Sequence, residues 1–132
     1  MSRLFRILSV SAVIVLVSCG GKTSGTEVRS SNGKTVGQIE VTGSKTGTIE
    51  NTKGDERGKV RGTMVRDADG KHIGTVNEKE GHVVILNAND NPVGSLEKGT
   101  DCYGKGKDMV GQVSAGIDSS VAAGACLIFF LQ

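Results

Sequence analysis

The sequence predicts an all-β protein: about five short β-hairpin repeats arranged around a centre, with an apolar C-terminal segment as the core. Three observations carry this. Turn-forming residues recur between short β-prone runs, a pair of residues nine positions apart repeats along the chain, and the most apolar stretch after residue 18 comes last. The clearest copy runs from Met64-Val65-Arg66-Asp67 through Ala68-Asp69-Gly70-Lys71 to His72-Ile73-Gly74-Thr75-Val76. Asp-Gly between β-prone runs is a strong hairpin signal, because both residues tolerate the positive φ of a type I′ turn.

Three more copies follow the same plan. Val28 leads to Val36-Gly37-Gln38-Ile39, Ile85 to Val93-Gly94-Ser95-Leu96, and Cys102 to Val110-Gly111-Gln112-Val113. Each ends as a β-branched residue, Gly, a small polar residue and an apolar residue. The spacing between the first two glycines, Gly37 and Gly74, is about twice the others, so a degenerate unit is expected between them. The candidate is Thr48-Ile49-Glu50, a turn at Lys53-Gly54-Asp55, and an ending at Lys59-Val60-Arg61-Gly62. In a regular strand, residues three apart, such as Ile73 and Val76, point to opposite faces. A bulge at the intervening Gly brings both toward one core. A lone hairpin is marginally stable in water, so the units must share a core. The shared element is expected to be Val121 to Leu131, which plugs the centre of the array.

The chain divides into a signal segment at 1–18, a Gly/Ser/Thr tether at 19–26 and the repeat domain at 27–132. Arg3 and Arg6 precede an apolar run, Ile7 to Val17, too short for a comfortable transmembrane helix. The run ends in Leu16-Val17-Ser18-Cys19, which resembles the lipobox of bacterial lipoproteins. The resemblance implies cleavage before Cys19, lipidation of Cys19 and anchorage of the chain to a membrane. It places the chain in the bacterial cell envelope. Gly20, where an inner-membrane retention signal typically carries Asp, points to the outer membrane and a periplasmic face.

The repeat endings, with the small-residue and then aromatic C-terminus from Ala122 to Leu131, resemble the bacterial β-flower proteins, whose hairpins form petals around a centre. That resemblance implies architecture, with five petals, and carries no active site. The competing fold is a β-solenoid, for which about 18 residues per coil would suit the repeat length. The aliphatic-Gly element does not recur every six residues, and the turns favour hairpins.

Loss of residues 1–18 removes Arg3 and Arg6 from the 16 Lys and Arg, leaving 14 basic against 14 acidic side chains. A neutral chain without interleaved aromatics excludes a nucleic-acid partner. Asp67, Asp69 and Asp90 sit in turns, and the second function considered is a small-ligand or calcium-binding module using them. Asp67-Ala68-Asp69-Gly70 lacks the further ligands of a calcium loop, and the Asn87 to Asn91 cluster reads as a turn. His72 and His82 lack partners at metal-site spacing. Gly104 to Lys107 is a basic turn without Walker spacing. No metal or cofactor is expected. An enzyme would need a pair converging from separate units, such as Glu50 with His72 or Asp101; none is expected. Cys102 and Cys126 are the two cysteines besides Cys19, and in an exported chain they are able to pair as a disulfide. The leading expectation is a non-enzymatic, membrane-anchored structural or binding module with an envelope protein or peptidoglycan as partner.

Overall fold

The computed structural model describes residues 26–132. The signal segment, most of the tether and Cys19 lie outside the described residues. Ten strands follow in order, and then one helix: β1 (Glu27–Ser30), β2 (Thr35–Gly43), β3 (Thr46–Asn51), β4 (Glu56–Arg61), β5 (Met64–Asp67), β6 (His72–Lys79), β7 (His82–Asn87), β8 (Pro92–Glu97), β9 (Asp101–Gly104), β10 (Met109–Val113) and α1 (Ser119–Phe130). Each strand pairs antiparallel with its sequence neighbours. β1 also pairs with β10, through Val28 opposite Val113 and Ser30 opposite Gly111, and this closes the sheet into a barrel. The hairpins therefore stand in a ring around one axis. Antiparallel pairing throughout excludes the solenoid, whose coils stack in parallel.

There are five hairpins: β1–β2, β3–β4, β5–β6, β7–β8 and β9–β10. In each, the opening residue faces the repeat Gly across the ladder: Val28 and Gly37, Ile49 and Gly58, Val65 and Gly74, Ile85 and Gly94, Cys102 and Gly111. The register shifts just beyond each pair, so one residue before each Gly is bulged. Four of these bulged residues, Val36, Ile73, Val93 and Val110, pack against the core. The residue two places after each Gly also points inward, and Ile39, Val60, Val76, Leu96 and Val113 are all buried.

Two local expectations are corrected. The second unit ends at Gly58, not at Gly62. Gly62 lies in the connection between β4 and β5 at φ 62°. Ile49 and Gly58 keep the nine-residue spacing of the other units, but Arg57 replaces the β-branched residue before the Gly and hides the match. The turn of the third unit is also not type I′, because Asp69 does not take a positive φ. Only Gly70, at φ 84°, is left-handed, and its N–H donates to the Asp67 carbonyl. A turn with one left-handed residue followed by a bulge satisfies the same strand twist.

The tail forms the helix α1 on the barrel axis. Ala and Leu favour helix, and Asp118 caps the start by accepting a hydrogen bond from the Ser120 N–H. Ser120 through Ile128 are all buried. A helix covered on every side needs no polar face, which accounts for the unbroken apolar run in the sequence. Ten strands enclose more space than inward side chains of Val and Ile alone fill. The helix occupies that space.

Helix and wall are complementary in size along the axis. The first half of α1 is small, with Ala122, Ala123, Gly124 and Ala125, and a Cβ on Gly124 would lie 2.1 Å from Val60 Cγ2. The final stretch is large, and there the wall is glycine. A Cβ on Gly74 would meet Leu127, on Gly58 Ile128, on Gly37 Phe129, on Gly111 Phe130 and on Gly94 Leu131, each within 2.7 Å. Five consecutive residues at the helix end therefore visit the third, second, first, fifth and fourth hairpins in turn. Each hairpin receives one large side chain.

Candidate functional site

The barrel interior is filled by α1 and the inward side chains, so surface geometry determines what the molecule is able to bind. Cys102 on β9 and Cys126 on α1 form a disulfide, with their Cα atoms 5.8 Å apart. Both are buried, so this bond ties the axial helix to the wall. It is a buried structural crosslink.

At the rim where β1 begins, the two ends of the domain meet. The Ser114 N–H donates to the Glu27 carbonyl, and the Glu27 N–H donates to Ser114 Oγ at 3.1 Å. The start of α1 lies at the same rim. There Lys45 Nζ donates to Glu78 Oε1 at 3.0 Å, and the Ser119 hydroxyl donates to Glu78 Oε2 at 2.6 Å. The Ser119 hydroxyl first, and then the Lys45 ammonium, hold the Glu78 carboxyl below the usual carboxylate range. The hydrogen bond to Glu78 holds the Lys45 ammonium above its usual value. Glu78 and Ser119 border an open cleft of about 320 Å³ with His82 and Lys98. Its charged groups are already paired or well exposed, and it is a shallow rim feature.

The acidic turns are occupied by their own backbone. Asp67 Oδ1 accepts from the N–H groups of Asp69 and Lys71, both at 2.9 Å. Asn51 Oδ1 and Asn87 Oδ1 accept the equivalent pairs, from Lys53 and Asp55 and from Asn89 and Asn91. Two neutral amides doing the same work show that the position requires an acceptor oxygen rather than a charge. Asp90 takes φ 65° in its turn, and Lys107 takes φ 68° in the Gly104 to Lys107 turn. No group of three or more His, Cys, Asp or Glu among the described residues is placed to hold a metal ion.

The residues considered for catalysis are not brought together. Glu50 lies on β3, His72 on β6 and Asp101 on β9, with at least two strands between any two of them. Each has local company. Gln38 Nε2 donates to Glu50, His72 Nε2 lies 3.5 Å from the Thr75 hydroxyl, and Asp101 accepts from Thr100 and Gln112. His82 Nδ1 lies 3.2 Å from the Glu80 carbonyl.

One cluster was not anticipated. Lys59 and Arg61 on β4 and Met64 and Arg66 on β5 line a cleft of about 240 Å³ on the outer wall. Lys59 and Arg66 are directly opposite, as are Arg61 and Met64. The alternation Lys59-Val60-Arg61 was a readable sign that both cations share one face of a strand. Arg66 joins them only through strand register.

The chain was compared with family models, curated proteins and solved structures, and none matches.

Proposed function

We propose that this chain is a lipid-anchored, non-enzymatic module of the bacterial cell envelope, a five-petalled β-flower-like barrel that presents its outer surface to an envelope protein or to peptidoglycan. The observation that carries the reading is the use of the interior. α1 and eleven buried hydrophobic residues of the strands fill the barrel with side chains. Binding then belongs to the outside. The Cys102–Cys126 bond supports export, because disulfides persist in oxidising compartments. The Leu16-Val17-Ser18-Cys19 segment supports the lipid anchor.

The barrel itself has the polarity of a water-exposed domain. Outward residues include the exposed Glu40, Lys59, Arg61, Arg66, Glu78 and Gln112, whereas the inside is apolar. A transmembrane barrel carries the opposite pattern. Among the described residues, no helix is long and apolar enough to cross a membrane. The anchor on Cys19 also sets an orientation. Cys19 precedes Thr26 by seven residues, a reach of at most about 25 Å. The chain joins the barrel at the rim that carries the start of α1, so this rim lies nearest the bilayer. The hairpin tips, at the end of α1, point away from it.

Metabolic labelling with a palmitate analogue tests the anchor. The wild-type chain should take up the label and the Cys19→Ala chain should not; an unlabelled wild-type chain overturns the anchor. Cross-linking in intact cells then tests the binding role. A reproducible envelope partner or peptidoglycan fragment, lost in Cys19→Ala, is the expected capture. Efficient turnover of a small envelope substrate by the purified chain would overturn the non-enzymatic reading.

A further inference from the structure

The wall at β4 and β5 carries an arrangement that sheet stability does not explain. Two outward cross-strand rows lie side by side. One runs Thr48, Lys59, Arg66, His72, and the other runs Thr46, Arg61, Met64, Thr75. Like charges directly opposite one another destabilise a ladder, yet Lys59 faces Arg66. At other places on the barrel some charged side chains do have cross-strand or neighbouring partners, Gln38 with Glu50, Gln112 with Asp101 and Lys45 with Glu78. Here compensation is slight. Glu56 Oε1 reaches Lys59 Nζ only at 4.0 Å. Arg66 Nη1 donates to the Gly70 carbonyl, which leaves the rest of its fork open. Arg61 makes no hydrogen bond or ion pair among the described residues.

A general excess of positive charge does not account for the cluster. Removing Arg3, Arg6 and Lys22 from the 16 basic residues leaves 13 within 26–132, against all 14 acidic ones. Three cations around a cleft of about 240 Å³ on a slightly acidic domain are a local feature. The half-buried hydroxyls of Thr46, Thr48 and Thr75 flank them in the same rows. Met64, 40% exposed, supplies an apolar side to the cleft.

The geometry points to a binding site for a phosphate group between Arg61 and Arg66, with Lys59 as a third cation and the threonine hydroxyls as further donors. A guanidinium offers two parallel N–H groups to two oxygens of one phosphate. Lys59 adds a point charge that suits a second phosphate or a doubly ionised one. Bound phosphate would neutralise the repulsion between Lys59 and Arg66. The Met64 thioether would lie against the carbon portion of a phosphate ester. Such a phosphate is borne either by a soluble compound or by a lipid headgroup, and the two sources give different results below. This inference does not depend on the function proposed above.

The test uses the chain from residue 19 with Cys19→Ala, which leaves the cleft untouched. Inorganic pyrophosphate is titrated at low salt and followed by calorimetry and by backbone amide shifts. The expected result is one saturable site, with shifts centred on residues 46–48, 59–66 and 75. Arg61→Gln and Arg66→Gln should each weaken binding about tenfold, the scale of one charge-assisted contact. Lys98→Gln, in the connection between β8 and β9, should leave it unchanged. Arg61→Gln should melt no lower than the parent, so a loss of binding in it reports the site and not misfolding. Vesicles of phosphatidylglycerol in phosphatidylcholine form the second arm. Retention on vesicles that fails in the same two variants assigns the phosphate to a lipid headgroup; binding of pyrophosphate alone assigns it to a soluble compound. Absence of saturable binding in both arms overturns the site. So does an equal loss in Lys98→Gln, which would show diffuse charge attraction.

Discussion

A methyl group added at Gly74 would lie 2.3 Å from the Leu86 carbonyl oxygen and 2.4 Å from Leu127 Cδ2. The carbonyl belongs to the neighbouring strand, and Leu127 is buried on the axial helix, so neither gives way cheaply. Gly70, four residues earlier in the same unit's turn, sits at φ 84° with nothing within 4 Å of an added Cβ. Both glycines are required, for different reasons: one for space, the other for backbone conformation. Gly74→Ala should cost about 3 kcal/mol, at the upper end of overpacking penalties. Gly70→Ala should cost about 1 kcal/mol, the scale of a left-handed residue with a Cβ. Urea unfolding of both variants checks the contrast, and equal losses would show that the helix is not held against the wall as described. At this scale Gly37, Gly74, Gly94 and Gly111 were legible as a repeat because Val or Ile precedes each. Gly58 was not, because Arg57 and Lys59 surround it. Its function is imposed by the Arg66 carbonyl on the next strand and by Ile128, which is remote in sequence.

The hairpins were legible as elements because the information is local. Turn residues, the nine-residue spacing and the bulge before each Gly lie within one unit. The tail was harder. Its apolarity marked it as core, but Val121 to Leu131 has no periodic polar face to distinguish helix from strand. The ambiguity has a physical cause: an element buried all round loses the pattern that a half-buried one shows. The disulfide is the covalent link between the two kinds of element, β9 and α1, across a sequence separation of 24. A loop of this length stabilises by about 3 kcal/mol. The double variant Cys102→Ser/Cys126→Ser should lose about that much in guanidinium unfolding. The wild-type chain in strong reductant should behave like the variant. A loss below about 1 kcal/mol would mean that helix packing alone fixes α1 on the axis.

For the whole molecule, the helix and the barrel are conditions for each other. The wall leaves an axial space that its own Val, Ile and Gly do not fill, and α1 has no polar face with which to stand in water. A chain ending at Ser114, and so lacking α1, should show no cooperative thermal transition and should bind a hydrophobic dye. A sharp transition in that chain would mean that the barrel closes around a collapsed core of its own. The fold class and the five units followed from residues near one another in the chain, where turn chemistry and strand alternation act over short separations. The pairing of β1 with β10, the meeting of each helix-end residue with one glycine, and the cluster of Lys59, Arg61 and Arg66 did not. Each depends on register between segments, and a register shift of one residue would turn every outward side chain inward. Local pattern therefore carried the building block. Ring closure around a buried helix set the size complementarity of the core and the chemistry of the outer wall.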